Sequence, residues 1–259
     1  MELVQVLLRW VHVIFGVIWL GTVYAHAFVN MQVMSKLSGD SLKTVATEIG
    51  SRLMWWSRLG ALWGWVTGIL LYGMVFHMGK QVYQPEFGWG ALGGILAIVP
   101  YAGVVVYELL ARSNLAKNGR LFGASGFVLV ACYVVLMDHL AHYSHRSVNI
   151  HIGLLFGNIM AFNLLVRSRA LMKRIVSALT EGATPDPALL AEAGMRVRHN
   201  VYLSVPLLWT MLNQHTTALA GGNFGLTSQT AFVVPLLVIL IGWHIVFHFL
   251  RRAGKLQAS

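Results

Sequence analysis

The chain has 259 residues, of which 57% are hydrophobic and 11% charged, and its formal net charge is +10. Soluble domains carry about 25% charged residues, so this composition excludes an ordinary soluble protein and indicates an integral membrane protein. Sixteen of the nineteen Lys and Arg residues fall on one predicted side of the membrane, which is the pattern by which membrane proteins are oriented. The positive net charge is therefore explained by membrane orientation, and we expect no nucleic-acid partner. The single cysteine, Cys132, excludes an internal disulfide and a CxxCH haem-attachment motif.

Seven apolar stretches have the length needed to cross a bilayer. In chain order they are Leu3–Phe28, Leu53–Met78, Trp89–Leu110, Leu121–Ala141, Ile150–Val166, Val201–Ala220 and Ala231–Leu250. The fifth is short for a full crossing, but the amphipathic segment Arg167–Leu179 continues its helical pattern. We therefore predict an all-α integral membrane fold, a bundle of about seven transmembrane helices that forms a single domain over residues 1–259.

Basic residues orient this predicted bundle, because cytoplasmic loops are enriched in Lys and Arg. They concentrate in the loops Asn30–Arg52, Ala111–Arg120 and Arg167–His199 and in the tail Arg251–Lys255. These segments are therefore predicted to be cytoplasmic, with the N-terminus outside and the C-terminus in the cytoplasm. The prediction is a multi-pass protein of the bacterial inner membrane, with the lipid bilayer as its first partner.

Eleven histidines interrupt or flank the apolar stretches. Ionisable side chains inside spanning helices usually face a bundle interior and serve a site, and imidazole is the commonest protein ligand of iron, copper and zinc. A haem or metal centre is therefore the first hypothesis. By predicted depth, the outer layer holds His12, His77, His139, His142, His145, His151 and His215, and the inner layer holds His26, His199, His244 and His248.

The first predicted span carries two of these histidines, His12 and His26. Their spacing puts them on nearly one helical face and about 21 Å apart along the axis, an arrangement similar to the paired histidines of two-haem b-type cytochromes. Arg9 lies one turn before His12, where a guanidinium could pair with a haem carboxylate. The alternative for Arg9 is an interfacial arginine that snorkels to water.

The densest run of possible ligands is Asp138–His145. If the helix continues that far, His139, His142 and His145 form one helical stripe that could bind copper or zinc or supply an axial haem ligand. The run could equally be a polar helix end at the outer interface. His244 and His248 lie one turn apart, a spacing that can chelate a metal. We interpret Gly21, Gly60, Gly64, Gly68, Gly93 and Gly94 as sites of close helix approach.

Ordered motifs also resemble a known family. The run Leu8–Gly21, with its RWVHV segment, resembles the opening of the membrane domain of bacterial membrane-bound urate oxidases. His151-Ile152-Gly153, followed by Met160-Ala161 and Asn163, is similar to a later span of that family. Pro185–Ala188, Arg198–Pro206 and Met211–His215 resemble its PDP…HNxYLxxP…MxxxH signature.

This resemblance implies a helical membrane bundle in which His12, His151, His199 and His215 are site residues, with His248 a weaker candidate. Full-length members of the family carry a C-terminal c-type cytochrome, which implies that electrons leave through haem on the outer side. This chain has no CxxCH motif. We therefore expect its redox partner to be a separate cytochrome c or another redox subunit.

The leading hypothesis is a membrane-embedded b-type haem protein that transfers electrons, as an oxidoreductase domain or as a subunit of a respiratory complex. It would hold one haem b, or two. His12 would be the first axial ligand, with His151 or His215 opposite it and Arg9 at a propionate. His199, with His26 and His248, would line an inner-side substrate, quinone or second-haem site.

Two alternatives stay open at this stage. The chain could be a haem-free subunit that binds or transports copper or that only scaffolds a complex. It could also oxidise urate with an external cytochrome c as electron acceptor.

Overall fold

The computed structural model describes residues 2–213 and 232–255 of the chain. Within these residues the regular elements are helices, and seven of them are long. They are α1 Glu2–Met34, α2 Gly39–His77, α3 Ala91–Arg112, α4 Gly119–Leu140, α5 His145–Thr180, α6 Pro187–Leu212 and α7 Val233–Lys255. Six of these, all except α6, are long and apolar enough to cross a membrane. The predicted all-α membrane fold is confirmed.

The helices run further than their apolar cores. The segment Asn30–Arg52, predicted as a loop, is largely helical, because α1 continues to Met34 and α2 begins at Gly39. Ala46 of this segment belongs to a buried cluster with Met172, Ile175 and Leu179, and Leu42 packs against that cluster, so tertiary contacts support a helix in a polar stretch. The predicted continuation of the fifth span is confirmed, since α5 runs unbroken to Thr180. The sixth predicted span, Val201–Ala220, extends beyond the described residues, and the sidedness of both termini stays a prediction.

The chain forms two compact units. The first comprises Met1–Leu71, Met160–Ser204 and Trp243–Ser259, and the second comprises Tyr72–Ile159 and Val205–Gly242. The single-domain assignment stays a prediction.

In the first unit, three glycines four residues apart let α2 approach α1 closely. A Cβ on Gly60 would lie 2.7 Å from the backbone nitrogen of Trp19, and one on Gly64 would lie 3.6 Å from the Trp19 ring. A Cβ on Gly68 would lie 3.1 Å from Cε1 of His12. The predicted role of these three glycines in helix approach is confirmed. Gly93 instead leaves room for the ring of Tyr83, which lies in the loop between α2 and α3.

The same interpretation is wrong for Gly21 and Gly94. A Cβ on either glycine would meet nothing within 4 Å among the described residues. Spacing alone does not separate a glycine at a helix contact from one without a packed neighbour among the described residues.

In the second unit, α3 contains a proline whose effect on the helix is compensated by a neighbour. Pro100 has no N–H, so the carbonyl of Leu96 four residues earlier loses its helical partner. The hydroxyl of Tyr133 on α4 donates to that carbonyl at 2.9 Å. Asn158 on α5 donates to the carbonyl of Pro100 at 3.0 Å. Buried side chains thus link α3 to α4 and to α5.

Candidate functional site

His12 on α1 has the clearest metal-ligand geometry in the first unit. Its Nδ1 lies 2.9 Å from the carbonyl oxygen of Gly64 and 3.1 Å from Oγ1 of Thr67. A carbonyl can only accept, and Thr67 already donates its hydroxyl proton to the carbonyl of Trp63 at 2.6 Å. Nδ1 of His12 therefore carries the hydrogen, and the lone pair of the neutral ring lies on Nε2.

The imidazole of His12 reaches this position because residue 68 is glycine. Nε2 makes no hydrogen bond to any described residue. Histidines that bind metals typically donate one ring N–H to a carbonyl or carboxylate and present the other nitrogen to the metal. His12 therefore fits the chemistry of an axial haem ligand or a copper ligand. Arg9, one turn earlier, is exposed.

His151 on α5 is fully buried in the second unit and uses both ring nitrogens within the protein. Its Nδ1 donates to the carbonyl of Ser147 at 2.7 Å, so Nε2 is an acceptor, and the hydroxyl of Tyr72 donates to it at 2.7 Å. The lone pair that would bind iron is thus occupied by a phenol. As it stands, His151 does not fit the role of an axial ligand.

His151 and Tyr72 belong to a closed circuit of six aromatic rings whose successive centroids lie 4.7–5.3 Å apart. In order, the circuit contains Tyr72, His77, Trp89, Tyr83, Tyr143 and His151. These spacings are those of favourable aromatic pairs. Tyr143 is anchored by its hydroxyl, which donates to the carbonyl of Gly93 at 2.7 Å. Burial raises the pKa of Tyr83, which lies between α2 and α3, so this phenol stays neutral at physiological pH.

Replacing Tyr72 by Phe should destabilise the protein by about 1–3 kcal/mol, because Nε2 of the buried His151 would lose its donor. At about 2–4 °C per kcal/mol for a chain of this size, a thermal melt in detergent would resolve the change. Tyr101→Phe is the matched control, since Tyr101 is 38% exposed. Equal melting temperatures for the two variants would contradict the assignment of this bond.

A second polar network lies in the first unit, between α5 and α6. Nδ2 of Asn163 donates to Oδ1 of Asn200 at 3.0 Å, and Nη1 of Arg196 donates to Oδ1 of Asn163 at 3.1 Å. The guanidinium of Arg196 is 1% exposed. Glu192 accepts from Arg196 at 3.4 Å and from Arg167 at 3.0 Å. The network therefore joins the side-chain amides of Asn163 and Asn200 to two guanidinium groups and one carboxylate.

A small cavity next to this network is lined by His26 and Asn200 together with Val23, Met54, Ser57, Leu164, Ser168 and Val197. Its volume is about 20 Å³, enough for one water molecule. Nδ1 of His26 lies 3.1 Å from Nδ2 of Asn30. The cavity is too small for the predicted inner-side haem or quinone in the conformation seen.

Sequence comparison places the chain in a family. A family model described as "Urate oxidase N-terminal" matches residues 40–258. The chain belongs to this family. The predicted resemblance to the membrane domain of urate oxidases is therefore confirmed, while searches of curated proteins and of solved structures found no match.

The segment matched to the urate oxidase N-terminal family contains His151, His199, His215 and His248, whereas Arg9, His12 and His26 precede it. The family assignment therefore does not depend on the first span. His12 and His151 lie in different units, and His215 lies outside the described residues. The pairing of His12 with either one stays a prediction.

The outer histidine run does not form the helical stripe that its spacing suggested. α4 ends at Leu140, and His145 begins α5. Between them His142 adopts a left-handed backbone, with φ of 53°, and stacks on Phe87 with centroids 3.9 Å apart. His139 instead contacts the carboxylate of Asp138 at 3.2 Å. His139 lies in the last turn of α4 and His142 lies in the turn after it, so the two residues do not share a helical face.

The remaining candidates are dispersed. Among the described residues no group of three or more His, Cys, Asp or Glu side chains could hold a metal ion. His244 and His248 are exposed on α7, with their Nε2 atoms 3.1 Å apart. His199 is half-buried on α6, next to the inward-facing Asn200.

Sequence reasoning missed Tyr72 and Arg196. Tyr72 lies in an apolar helix, and nothing in the sequence around it indicates its hydrogen bond to His151, which is 79 residues away. Arg196 follows Glu192 by four residues, which indicates a helical ion pair but not its burial.

Proposed function

We propose that this urate oxidase N-terminal family member is a membrane-embedded redox protein that binds b-type haem through Nε2 of His12. Electrons would pass to or from a separate cytochrome c or another redox subunit. The observation that supports the proposal is the bond from Nδ1 of His12 to the Gly64 carbonyl, which leaves Nε2 as the free lone pair. When bound, haem would supply one-electron redox chemistry.

The residues around His12 have separable tasks in this proposal. The Gly64 carbonyl fixes the tautomer and raises the basicity of the ligand. Gly68 leaves the room that the imidazole occupies. The exposed guanidinium of Arg9 is the proposed partner of a propionate.

The test is a dithionite-reduced minus oxidised spectrum of purified, haem-supplied protein, with pyridine haemochrome quantification. We expect a b-type α band, lost on His12→Ala and kept on His244→Ala, because His244 contacts only the exposed His248 among its described ring partners. The stoichiometry decides between one haem and two. A flat spectrum from folded wild-type protein, or an unchanged band in His12→Ala, would overturn the proposal.

Copper binding is the second candidate, favoured by the two Nε2 atoms of His244 and His248 at 3.1 Å. Two imidazoles at this separation on one helix can chelate a divalent metal ion. Metal analysis of protein loaded with copper separates the candidates: His244→Ala should release copper if this candidate is right, whereas His12→Ala should release haem if the first is right. If the protein binds neither haem nor copper, the scaffolding role is the alternative that stays open.

Urate oxidation is the third candidate, and it rests on the family match alone. It requires urate-dependent reduction of added cytochrome c by the purified membrane protein. No reduction by a haem-loaded preparation would remove this activity while leaving the haem proposal intact.

A further inference from the structure

A cavity in the first unit gathers three cations and no acid. It has a volume of about 300 Å³ and lies between α2 and α5. The lining residues repeat one helical spacing on each helix, Ser51, Met54, Trp55 and Arg58 on α2 and Arg169, Met172, Lys173 and Val176 on α5. Each helix therefore presents one face to the cavity.

Among the described residues, no carboxylate pairs with the three charges of this cavity. Arg58, Arg169 and Lys173 take part in none of the ion pairs that the described residues form. The Nε of Arg58 is buried and makes no hydrogen bond. Three like charges around one cavity repel one another, and a buried guanidinium N–H without an acceptor costs free energy. An anion bound in the cavity would relieve both.

The remaining lining residues identify the kind of anion. Met54, Met172 and Val176 give the cavity an apolar side, which a free inorganic anion would not use. Trp55, which is 54% exposed, and its neighbour Trp56, 47% exposed, suit the headgroup level of a bilayer. Basic pockets between membrane helices on the cytoplasmic side are known to take anionic lipid headgroups.

We propose that the cavity between α2 and α5 is a binding site for an anionic phospholipid. The phosphodiester would accept hydrogen bonds from Arg58 and Arg169, with Lys173 adding charge. The first part of an acyl chain would lie along Met54, Met172 and Val176. This site is independent of haem and of the proposed redox function.

Native mass spectrometry of the full chain, titrated in detergent with phosphatidylglycerol or phosphatidylcholine, tests the proposal. We expect phosphatidylglycerol to be retained at least ten-fold more strongly than phosphatidylcholine. The triple variant Arg58→Gln, Arg169→Gln, Lys173→Gln should lose this preference. The matched control removes the same charge outside the cavity, at Lys36→Gln, Arg52→Gln and Arg174→Gln, and should keep it.

A second measurement guards against misfolding of the triple variant. Lys173→Arg keeps the charge and should keep lipid retention, and phosphatidylglycerol should raise the melting temperature of the wild type and of the control triple variant but not of the cavity triple variant. Equal loss in both triple variants would show general attraction to a basic surface and overturn the site. Displacement of phosphatidylglycerol by millimolar inorganic phosphate or urate would show a small-anion site instead and overturn the lipid assignment.

Discussion

Gly60→Ala should destabilise the protein strongly, although alanine is the better helix former by about 1 kcal/mol. The new Cβ would lie 2.7 Å from the backbone nitrogen of Trp19 and 2.9 Å from the carbonyl oxygen of Phe15. Both are backbone atoms, so no side chain can rotate away and α1 itself must move. Overpacking of this kind costs about 1–3 kcal/mol, and contact with backbone puts this variant at the upper end of that range.

The same substitution should also weaken cofactor binding. His12 bonds to the carbonyl of Gly64, one turn from Gly60 on α2, so a shift of α1 away from α2 lengthens that bond. We expect Gly60→Ala to lower both the melting temperature in detergent and the haem content of the purified protein.

Gly21→Ala is the control for Gly60→Ala. Gly21 lies on α1, and its Cβ would meet nothing within 4 Å among the described residues. It should therefore leave stability unchanged or raise it by up to about 1 kcal/mol. If both alanine variants melted at the same temperature, the close approach of α1 and α2 at Gly60 would be wrong.

The fold was largely predictable because the bilayer imposes one constraint on every span. A stretch such as Trp89–Leu110 is apolar over a membrane length, and the structure forms α3 over Ala91–Arg112. The prediction of a loop over Asn30–Arg52 was wrong because low hydropathy does not exclude a helix. The polar residues of this segment favour a loop, yet Leu42 and Ala46 pack one side of the helix against Met172, Ile175 and Leu179. Hydropathy averaged over a window does not show a narrow buried face.

The candidate site was less predictable, because it depends on partners that are distant along the chain. The free Nε2 of His12 follows from a carbonyl 52 residues away. The occupied Nε2 of His151 follows from Tyr72, which nothing in the local sequence connects to it. The number of histidines suggests a metal or haem site. Only the hydrogen-bond partners of each ring separate a histidine that can bind a metal from one that cannot.

Glu192→Gln should be the most damaging single substitution in the polar network of the first unit. Arg196 is 1% exposed, and the carboxylate of Glu192 lies 3.4 Å from its Nη2 and 3.0 Å from Nη2 of Arg167. Asn163 can accept a hydrogen bond from Arg196 but cannot neutralise its charge. Removing one partner of a buried pair costs about 3–5 kcal/mol, and since the Glu192 side chain is 31% exposed, we expect the lower end of this range.

A thermal melt of three variants checks this expectation. Glu48→Gln is the matched control, because Glu48 and Arg52 also form a pair four residues apart but are 60% and 78% exposed, and such surface pairs contribute about 0.3–0.5 kcal/mol. Adding Arg196→Met to Glu192→Gln should restore part of the lost stability, because the buried cation is replaced by an unbranched apolar side chain. If the double variant were less stable than Glu192→Gln alone, the destabilisation would come from lost hydrogen bonds rather than from buried charge.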